Sequence, residues 1–354
     1  MTPTPFGRRR AAANIAALFV ISAACLLTSP PAWSLDVSRP DVQAFIGELV
    51  KKDSFEQPYV TAVFEKIESK QGILDAMGRP AEKVKSWPDY RNIFLTPRRI
   101  SAGVDFLREH EAGLRQISAR TGVPAEIIAA ILGVETFYGT RTGSFRAVDA
   151  LATLAFDYPP RATFFRSELR QLFLLAREEQ LDIGGLLGSY AGALGPPQFI
   201  PSSYRNFAVD GNGDGRRDLF GNWDDIMASV ANYFAVHNWQ PGQPIATRAE
   251  FARNAVRPTG PTELTLKDTV GSLTRQNVQF STDLPDTAPA LLVTLPLEEG
   301  NEYWVGFQNY YTITRYNRST MYALAVFQLS AAIEAGSRAP TGDLLAPLAG
   351  AASE

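Results

Sequence analysis

The stretch Val123-Pro-Ala-Glu-Ile-Ile-Ala-Ala-Ile-Leu-Gly-Val-Glu-Thr-Phe-Tyr-Gly139 predicts one apolar helix. Pro124 suits a first helical position, Glu126 complements the helix dipole in the first turn, and Gly139 supplies a stop. The residues between them are apolar on almost every side, so we expect the helix to be buried in a helical core. Glu135 is the exception, because helical spacing places it on the buried face.

A carboxylate at that position has two interpretations. Glu135 is either part of a structural ion pair or helix rim, or it is held partly protonated by desolvation, as a general acid near neutral pH must be. The helix alone does not decide between them, because perturbed carboxylates also occur in structural networks. Glu135 is therefore a candidate catalytic acid.

The first 34 residues have the pattern of a secretory signal. Arginines at 8–10 precede an apolar run over 11–27, and small residues precede a cleavage point after Ser34. The run is too short and poorly flanked for a spanning helix. The net charge of −3 becomes −6 without the three signal arginines, and it shows no basic footprint for nucleic acid. We expect an exported, periplasmic protein that binds no nucleic acid.

The single cysteine, Cys25, lies within this signal. Cleavage after Ser34 would leave no cysteine, so disulfides and thiol chemistry are not expected in the exported protein. Ser22-Ala-Ala-Cys25 faintly resembles a lipoprotein box, although Ser22 stands where leucine is expected. Lipidation of Cys25, with anchoring to a membrane, is the less favoured alternative.

The length and composition allow more than one core. With 354 residues and 45% hydrophobic content, two or three domains are expected. Helical patterns, including a long helix over about 101–121, precede β-branched runs punctuated by proline. The expected organisation is a signal peptide (1–34), an N-terminal helical domain (35–115), a helical core (116–239), a small β-rich domain (240–306), a C-terminal segment (307–336) and a disordered tail (337–354).

An acidic, glycine-rich loop begins at Asp210. Gly215 occupies the turn position of an EF-hand loop, and the oxygen donors at positions 1, 3, 5 and 7 are Asp210, Asn212, Asp214 and the carbonyl of Arg216. Gly221 stands where the closing glutamate belongs, so Asp224 or Asp225, of which we favour Asp225, would close a lengthened loop. A structural calcium ion is favoured over a simple Asp/Gly turn, and no cofactor for catalysis is expected.

Other chemistries have little support in the sequence. The two histidines are far apart without zinc spacing, and no nucleophile elbow, phosphate loop or dinucleotide fingerprint is present. A glycine-rich stretch over 184–204, with five glycines and three prolines, allows close backbone approach to a ligand. A lone acid, this stretch and 12 tyrosines favour polysaccharide chemistry.

Several motifs together resemble the lytic murein transglycosylase B family, glycoside hydrolase family 103. The resemblance covers roughly residues 38–335. Besides the Asp/Gly loop, its motifs are Gly133-Val-Glu-Thr-Phe-Tyr-Gly139, Asp149-Ala-Leu-Ala-Thr-Leu-Ala-Phe156, Gly192-Ala-Leu-Gly-Pro-Pro-Gln-Phe-Ile-Pro-Ser-Ser-Tyr204, Ser229-Val-Ala-Asn-Tyr-Phe234 and Phe307-Gln-Asn-Tyr-Tyr-Thr-Ile-Thr-Arg-Tyr-Asn317.

The resemblance implies a mainly α (α+β) fold, in which a lysozyme-like helical catalytic core is joined by a helical domain and a small β-rich insertion. It implies cleavage of the MurNAc–GlcNAc bond of peptidoglycan without water, which leaves 1,6-anhydro-MurNAc ends. Glu135 matches the single catalytic acid of the family. One carboxylate suffices because the N-acetyl group of the substrate can stabilise the oxocarbenium centre.

The same matching implies the residues that contact the glycan. Ser189, Gln198 and Tyr233 resemble groove residues, and Tyr311 and Tyr316 belong to the returning C-terminal segment. Arg161 fits the second arginine of the Tyr-Pro-Arg-Arg motif of the family, in which Pro160 replaces the first.

The implied partners are peptidoglycan glycan strands and, as a further possibility, cell-wall synthesis proteins, with the chain a monomer. Two other functions stay open: a lysozyme-type hydrolase, in which water attacks, and a peptidoglycan-binding scaffold without turnover.

Overall fold

The computed structural model describes residues 32–338 apart from 79–84, 254, 259 and 261. Residues 1–31, most of the predicted signal with Cys25, and residues 339–354 of the predicted tail lie outside this range. The helices are α1 Pro40–Asp53, α2 Gln57–Phe64, α3 Gln71–Met77, α4 Trp87–Phe94, α5 Pro97–Glu109, α6 Glu111–Thr121, α7 Ala125–Thr136, α8 Ala147–Asp157, α9 Ala162–Glu178, α10 Pro201–Phe207, α11 Trp223–Val236, α12 Val270–Arg275, α13 Gln308–Tyr316 and α14 Thr320–Arg338.

The strands of the described residues form three sheets. Two are two-stranded, and the third has the order β6-β8-β9-β5-β7 with antiparallel pairs. Their bounds are β1 Ala32–Ser34, β2 Glu68–Lys70, β3 Phe145–Arg146, β4 Leu187–Gly188, β5 Ala246–Phe251, β6 Asp268–Thr269, β7 Val278–Gln279, β8 Pro289–Pro296 and β9 Asn301–Gly306. The predicted mainly α fold with a small β part is confirmed.

Helix α7 lies at the centre of the main core. It packs against α5, α6, α11 and α14, and nine of its residues are buried because it is apolar on nearly every side. The main core extends from Leu35 to Ile333, whereas a smaller cluster around Val305 and Phe307 belongs to the five-stranded sheet.

The ends of α7 differ from the prediction. The helix begins at Ala125, with Pro124 as the preceding cap residue. It ends at Thr136 and not near Gly139, because Phe137 already adopts the left-handed conformation (φ 51°) that terminates a helix. Gly139, the predicted stop, is the third residue of this turn with positive φ, after Phe137 and Tyr138.

Other boundaries were also wrong in part. The single helix predicted over 101–121 is two helices, because the ring of His110 packs against Phe106 and Trp223, with centroids 4.4 and 5.3 Å away, and its backbone leaves the helical conformation (φ −108°). Helix α14 continues to Arg338, two residues into the predicted tail. Strand β1, at the end of the predicted signal, pairs with β2.

No single helix among the described residues has the length and apolar character needed to cross a membrane. Among the described residues, only the pair α6 and α7 reaches that length and apolar character when taken together, and the chain bends by 112° between them.

Candidate active site

Glu135 lies in the last turn of α7 and is partly exposed, unlike the residues around it. It lines a cavity of about 210 Å³, which we call the Glu135 cavity. No other Asp or Glu lines this cavity among the described residues. The cavity therefore offers one carboxyl group for proton transfer.

The carboxyl group of Glu135 is held by a tyrosine that the sequence did not single out. Tyr322 of α14 donates from its hydroxyl to Glu135 Oε1 at 2.7 Å, across 187 positions of sequence. Burial, and then the charge of Glu135, raises the pKa of Tyr322 well above its ordinary value. The phenol therefore stays protonated and donates to the carboxylate.

The turn that carries Glu135 is tied to its surroundings at several points. Thr136 Oγ1 donates to the carbonyl of Pro196 at 2.9 Å and accepts the N–H of Gly139 at 3.0 Å. Buried Arg99 donates from Nε to the carbonyl of Gly133 at 3.0 Å. These bonds satisfy polar groups at the end of α7 and fix the direction of the Glu135 side chain.

The glycine-rich stretch forms one wall of the cavity. At Gly195 (φ 64°) a Cβ atom would lie 2.1 Å from the carbonyl oxygen of Leu219, so only glycine allows this close approach. Gln198 adopts φ 53° and donates from Nε2 to the carbonyls of Thr142 and Gly195, at 3.1 and 2.9 Å. The wall is thus held in a strained conformation beside Glu135.

Two buried amide oxygens of the cavity lining lack a partner within the described part of the chain. They are Oε1 of Gln198 and Oδ1 of Asn317, and Asn317 is only 4% exposed. Buried acceptors of this kind require a donor from solvent or a ligand.

Four of the six predicted glycan-contact residues line the Glu135 cavity: Arg161, Gln198, Tyr233 and Tyr316. The ring centroids of Tyr233 and Tyr316 lie 4.9 Å apart, and Tyr316 donates to the carbonyl of Pro197 at 2.6 Å. Burial raises the pKa of Tyr233 to about 12. These phenols therefore act as hydrogen-bond donors and not as bases.

The other two predicted residues do not line the cavity. Ser189 is 1% exposed, and its Oγ accepts the N–H groups of Ala191 and Ala193, so it lies behind the wall and supports it. Tyr311 lies on α13 and packs against the main core. Three lining residues were not predicted from the sequence. Arg315 and Asn317 stand in the motif Phe307–Asn317 that suggested Tyr316, and Arg318 follows it directly.

Two acids that follow Glu135 in the sequence, Asp149 and Asp157, have structural partners. Asp149 is fully buried, accepts the N–H of Glu68 at 3.1 Å and lies 3.5 Å from Arg146. Asp157 pairs with Arg39 at 2.6 Å. Both acids attach the N-terminal part of the chain to α8.

The donors of the Asp210 loop fit a hard cation in kind. Asp210 accepts the N–H groups of Gly213 and Gly215, and both glycines have positive φ, as a tight loop requires. Asp225 Oδ1 accepts the N–H of Gly211 at 2.7 Å, whereas Asp224 Oδ1 lies near Gly113 of α6. Asp225 is therefore the acid that faces the loop.

The loop does not form a finished acidic cage. Both carboxylate oxygens of Asp225 accept backbone N–H groups, and no cluster of three or more Asp, Glu, His or Cys side chains arranged for a metal occurs in the described ranges. Burial raises the pKa of Asp225, and the nearby charge of Asp210 raises it further. A cation would relieve this repulsion between carboxylates.

Comparison with known proteins gives consistent results. A family model described as "Transglycosylase SLT domain" matches residues 38–331. The chain is 39% identical over 307 residues to the membrane-bound lytic murein transglycosylase B of Escherichia coli (strain K12), with 84% of this chain and 83% of that protein covered.

Solved structures are similar over the same range. The soluble lytic transglycosylase SltB1 of Pseudomonas aeruginosa matches with a TM-score of 0.77 and 45% identity, over 85% of this chain and 100% of that one. The Escherichia coli lytic transglycosylase Slt35 in complex with calcium matches with a TM-score of 0.77 and 38% identity, over 85% of this chain and 95% of that one. SltB3 of Pseudomonas aeruginosa in complex with NAG-NAM-pentapeptide matches with a TM-score of 0.72 and 27% identity, over 85% of this chain and 82% of that one.

Proposed function

This chain belongs to the transglycosylase SLT-domain family and is a lytic transglycosylase; we propose that it cleaves the MurNAc–GlcNAc β-1,4 bond of peptidoglycan without water. The observation that carries the proposal is the single carboxyl group in the lining of the Glu135 cavity. A glycoside hydrolase of the two-carboxylate type needs a second carboxyl about 5–9.5 Å from the first. The described residues that line this cavity offer none.

In the proposed mechanism Glu135 acts first as acid and then as base. Its proton goes to the glycosidic oxygen, so the C1–O bond breaks and GlcNAc leaves with a new hydroxyl. The N-acetyl group of MurNAc stabilises the positive charge at C1. The Glu135 carboxylate then removes the proton of the C6 hydroxyl as that oxygen bonds to C1, which closes the 1,6-anhydro ring.

The surroundings of Glu135 support each step. Tyr322 directs Oε1 by its hydrogen bond, and the polar residues Gln198 and Asn317 line the cavity beside Glu135. Attack by the C6 hydroxyl gains the proximity advantage of an internal nucleophile.

Product analysis tests the reaction. Digestion of purified murein should give ends lighter by one water than lysozyme products, and these ends should resist borohydride because they lack a reducing end. Reducible, water-added ends as the main product would identify a lysozyme-type hydrolase. Binding to murein with no clearing of a murein zymogram would instead identify a scaffold.

A structural calcium ion in the Asp210 loop is part of the proposal. Asp210, Asn212, Asp214, the carbonyl of Arg216 and Asp225 would hold it, and the ion would stabilise the loop without taking part in proton transfer. Slt35, a similar protein, was solved in complex with calcium.

Peptidoglycan strands are the proposed partner, since SltB3 was solved with NAG-NAM-pentapeptide. Export to the periplasm is also proposed, because the Escherichia coli relative is a membrane-bound murein enzyme. The mass of the mature N-terminus distinguishes a chain cleaved after Ser34 from one lipidated at Cys25. A chain that begins at Leu35 excludes the lipid. Monomeric state and cell-wall synthesis partners stay predictions.

A further inference from the structure

A cluster of arginines surrounds the ring of Phe137, two residues after Glu135. The guanidinium carbons of Arg98, Arg99 and Arg141 lie 5.3, 5.2 and 5.5 Å from the centroid of that ring. Contact between a cation and an aromatic face stabilises each pair separately. It does not account for the collection of three like charges around one ring, because like charges repel one another. We call these arginines, together with Phe137, the Phe137 patch.

The three arginines of the patch have different surroundings. Arg99 is 8% exposed and donates to the carbonyls of Gly133 and Ile93, so it belongs to the structure around the end of α7. Arg98 and Arg141 are exposed, and the side chain of neither forms a hydrogen bond or a salt bridge within the described part of the chain. Two guanidinium groups, placed by one aromatic ring, are thus open to an anion from outside.

The Phe137 patch is connected to the Glu135 cavity through the backbone on both sides. Phe137 follows Glu135 in the turn that ends α7. Arg141 precedes Thr142, whose carbonyl accepts the side-chain N–H of Gln198 in the cavity lining at 3.1 Å. The patch and the cavity are therefore built on the same short stretch of chain.

The peptide stem that MurNAc carries supplies anions within reach of the patch. Its acidic residues and its C-terminus bear free carboxylates. An extended pentapeptide spans about 17 Å, whereas the chain from Glu135 to Phe137 spans about 7 Å at most. A carboxylate accepts two parallel N–H bonds from a guanidinium group, so arginine suits this ligand. Placement of the guanidinium groups by the Phe137 ring before binding lowers the cost of ordering them.

We propose that Arg98 and Arg141 bind a carboxylate of the peptide stem on the MurNAc unit that occupies the Glu135 cavity. The inference rests on the proposed function for the identity of the ligand. Binding of an anionic peptide to the patch does not depend on turnover. The enzyme should accordingly prefer glycan strands that carry stems to strands without them.

Kinetics with two substrates test this role. One substrate is soluble glycan strands with their stems, and the other is the same strands after an amidase has removed the stems. Arg98→Gln/Arg141→Gln should raise KM for the first about 5-fold with kcat unchanged, as expected for exposed charge contacts that are equal in ground and transition states. KM for the second should stay at the wild-type value.

Arg108→Gln/Arg120→Gln is the matched control. It removes two exposed arginines from α5 and α6, so the change in net charge is the same. Arg108 stands ten residues after Arg98 on the same helix, about 15 Å along its axis. KM for both substrates should be unchanged in this variant.

Equilibrium binding of the free stem pentapeptide tests the patch without turnover. Arg98→Gln/Arg141→Gln should weaken this binding about 5-fold at low salt, and amidation of the peptide carboxylates should weaken it to a similar extent. Salt at about 0.5 M should remove both differences, because exposed charges are screened. Protein that binds the peptide in this way but releases no anhydro ends would retain the patch and defeat the proposed function.

Three results would overturn the inference. The first is a KM and a peptide affinity in Arg98→Gln/Arg141→Gln equal to those of the wild type. The second is an equal rise of KM for strands with and without stems, because the arginines would then act on the fold near Glu135. The third is inorganic phosphate that binds as tightly as the pentapeptide, which would show a general anion site and not one for the stem.

Discussion

At the scale of single residues, the site depends on how one carboxyl group is oriented. Glu135 faces Tyr322 on one side and the cavity on the other. The buried phenol stays protonated and donates to Oε1, so it holds that oxygen in place. Orientation by a fixed neighbour costs no reorganisation during the reaction.

Glu135→Gln should reduce turnover of murein by about 10²–10⁴-fold while binding of glycan is retained. The amide has nearly the same shape but cannot deliver a proton. Glu126→Gln, in the first turn of the same helix, is the control and should keep full activity. Wild-type rates in Glu135→Gln would reduce Glu135 to a structural residue.

Tyr322→Phe should lower kcat by about 10- to 100-fold, because a hydrogen bond to a charged group contributes about 1.5–3 kcal/mol. Tyr310→Phe is the matched control: its hydroxyl donates to the carbonyl of Thr320 at 2.7 Å and it is equally buried. Both variants should lose some stability, but only the first should lose rate. Equal kcat in the two variants would show that Tyr322 does not orient Glu135.

At the scale of elements, helix ends and loops carry the site and helix interiors carry the core. Helix α7 stops one residue after Glu135 through two left-handed residues that are not glycine, Phe137 and Tyr138. Such residues cost of order 1–3 kcal/mol each and persist only where the surrounding structure holds them. Here the rings of Phe106 and Phe137 pack on Tyr138, with centroids 5.6 and 5.8 Å away.

The Asp210 loop belongs to the same scale. Calcium should raise the melting temperature of the wild-type protein, because an ion bound only by the folded state stabilises it by mass action. Asp214→Ala should abolish that increment, whereas Asp105→Ala, an exposed carboxylate of α5, should retain it. Identical melting curves in excess calcium and in chelator would reduce the loop to a turn.

At the scale of the whole molecule, ion pairs attach the N-terminal helices to the core. Asp53 of α1 accepts two bonds from Arg170 of α9, at 2.6 and 2.7 Å. The hydrogen bond with Arg170 is the main cause that lowers the pKa of the Asp53 carboxyl below its ordinary value of 3.8. A carboxyl with a lowered folded-state pKa contributes stability above its unfolded value and loses it as the pH falls through the folded value.

Asp53→Asn should therefore lower the melting temperature at pH 7. The difference from wild type should shrink as the pH falls below about 3.8 and should vanish only below the lowered folded-state pKa of Asp53. The loss at pH 7 should not exceed about 1 kcal/mol, because Arg170 is partly exposed and solvent screens the pair. Asp105→Asn serves as a control without a long-range partner. A difference that persists unchanged at low pH would assign the effect to packing and not to charge.

Local pattern was sufficient for the buried helix α7 and for Glu135 as a candidate acid, because apolar spacing and an isolated acid are properties of one short segment. The mainly α fold and the choice of a catalytic over a structural role for Glu135 came from the resemblance of several motifs to a known family. Motif matching also selected Arg161, Gln198, Tyr233 and Tyr316, which the fold brings to one cavity. Each of these residues stands in a short motif, so the residues next to it in sequence were enough to identify it.

Contacts between residues that are distant in sequence could not be predicted from local pattern or from motifs. Tyr322 reaches Glu135 across 187 positions, and Glu168 reaches Ser202 across 34. Ser189 belongs to the glycine-rich stretch over 184–204 yet lies behind the wall, because the turn around Gly192 directs its hydroxyl to backbone N–H groups. Side-chain direction at a turn, and the partner of a buried polar group, depend on packing that no single segment contains.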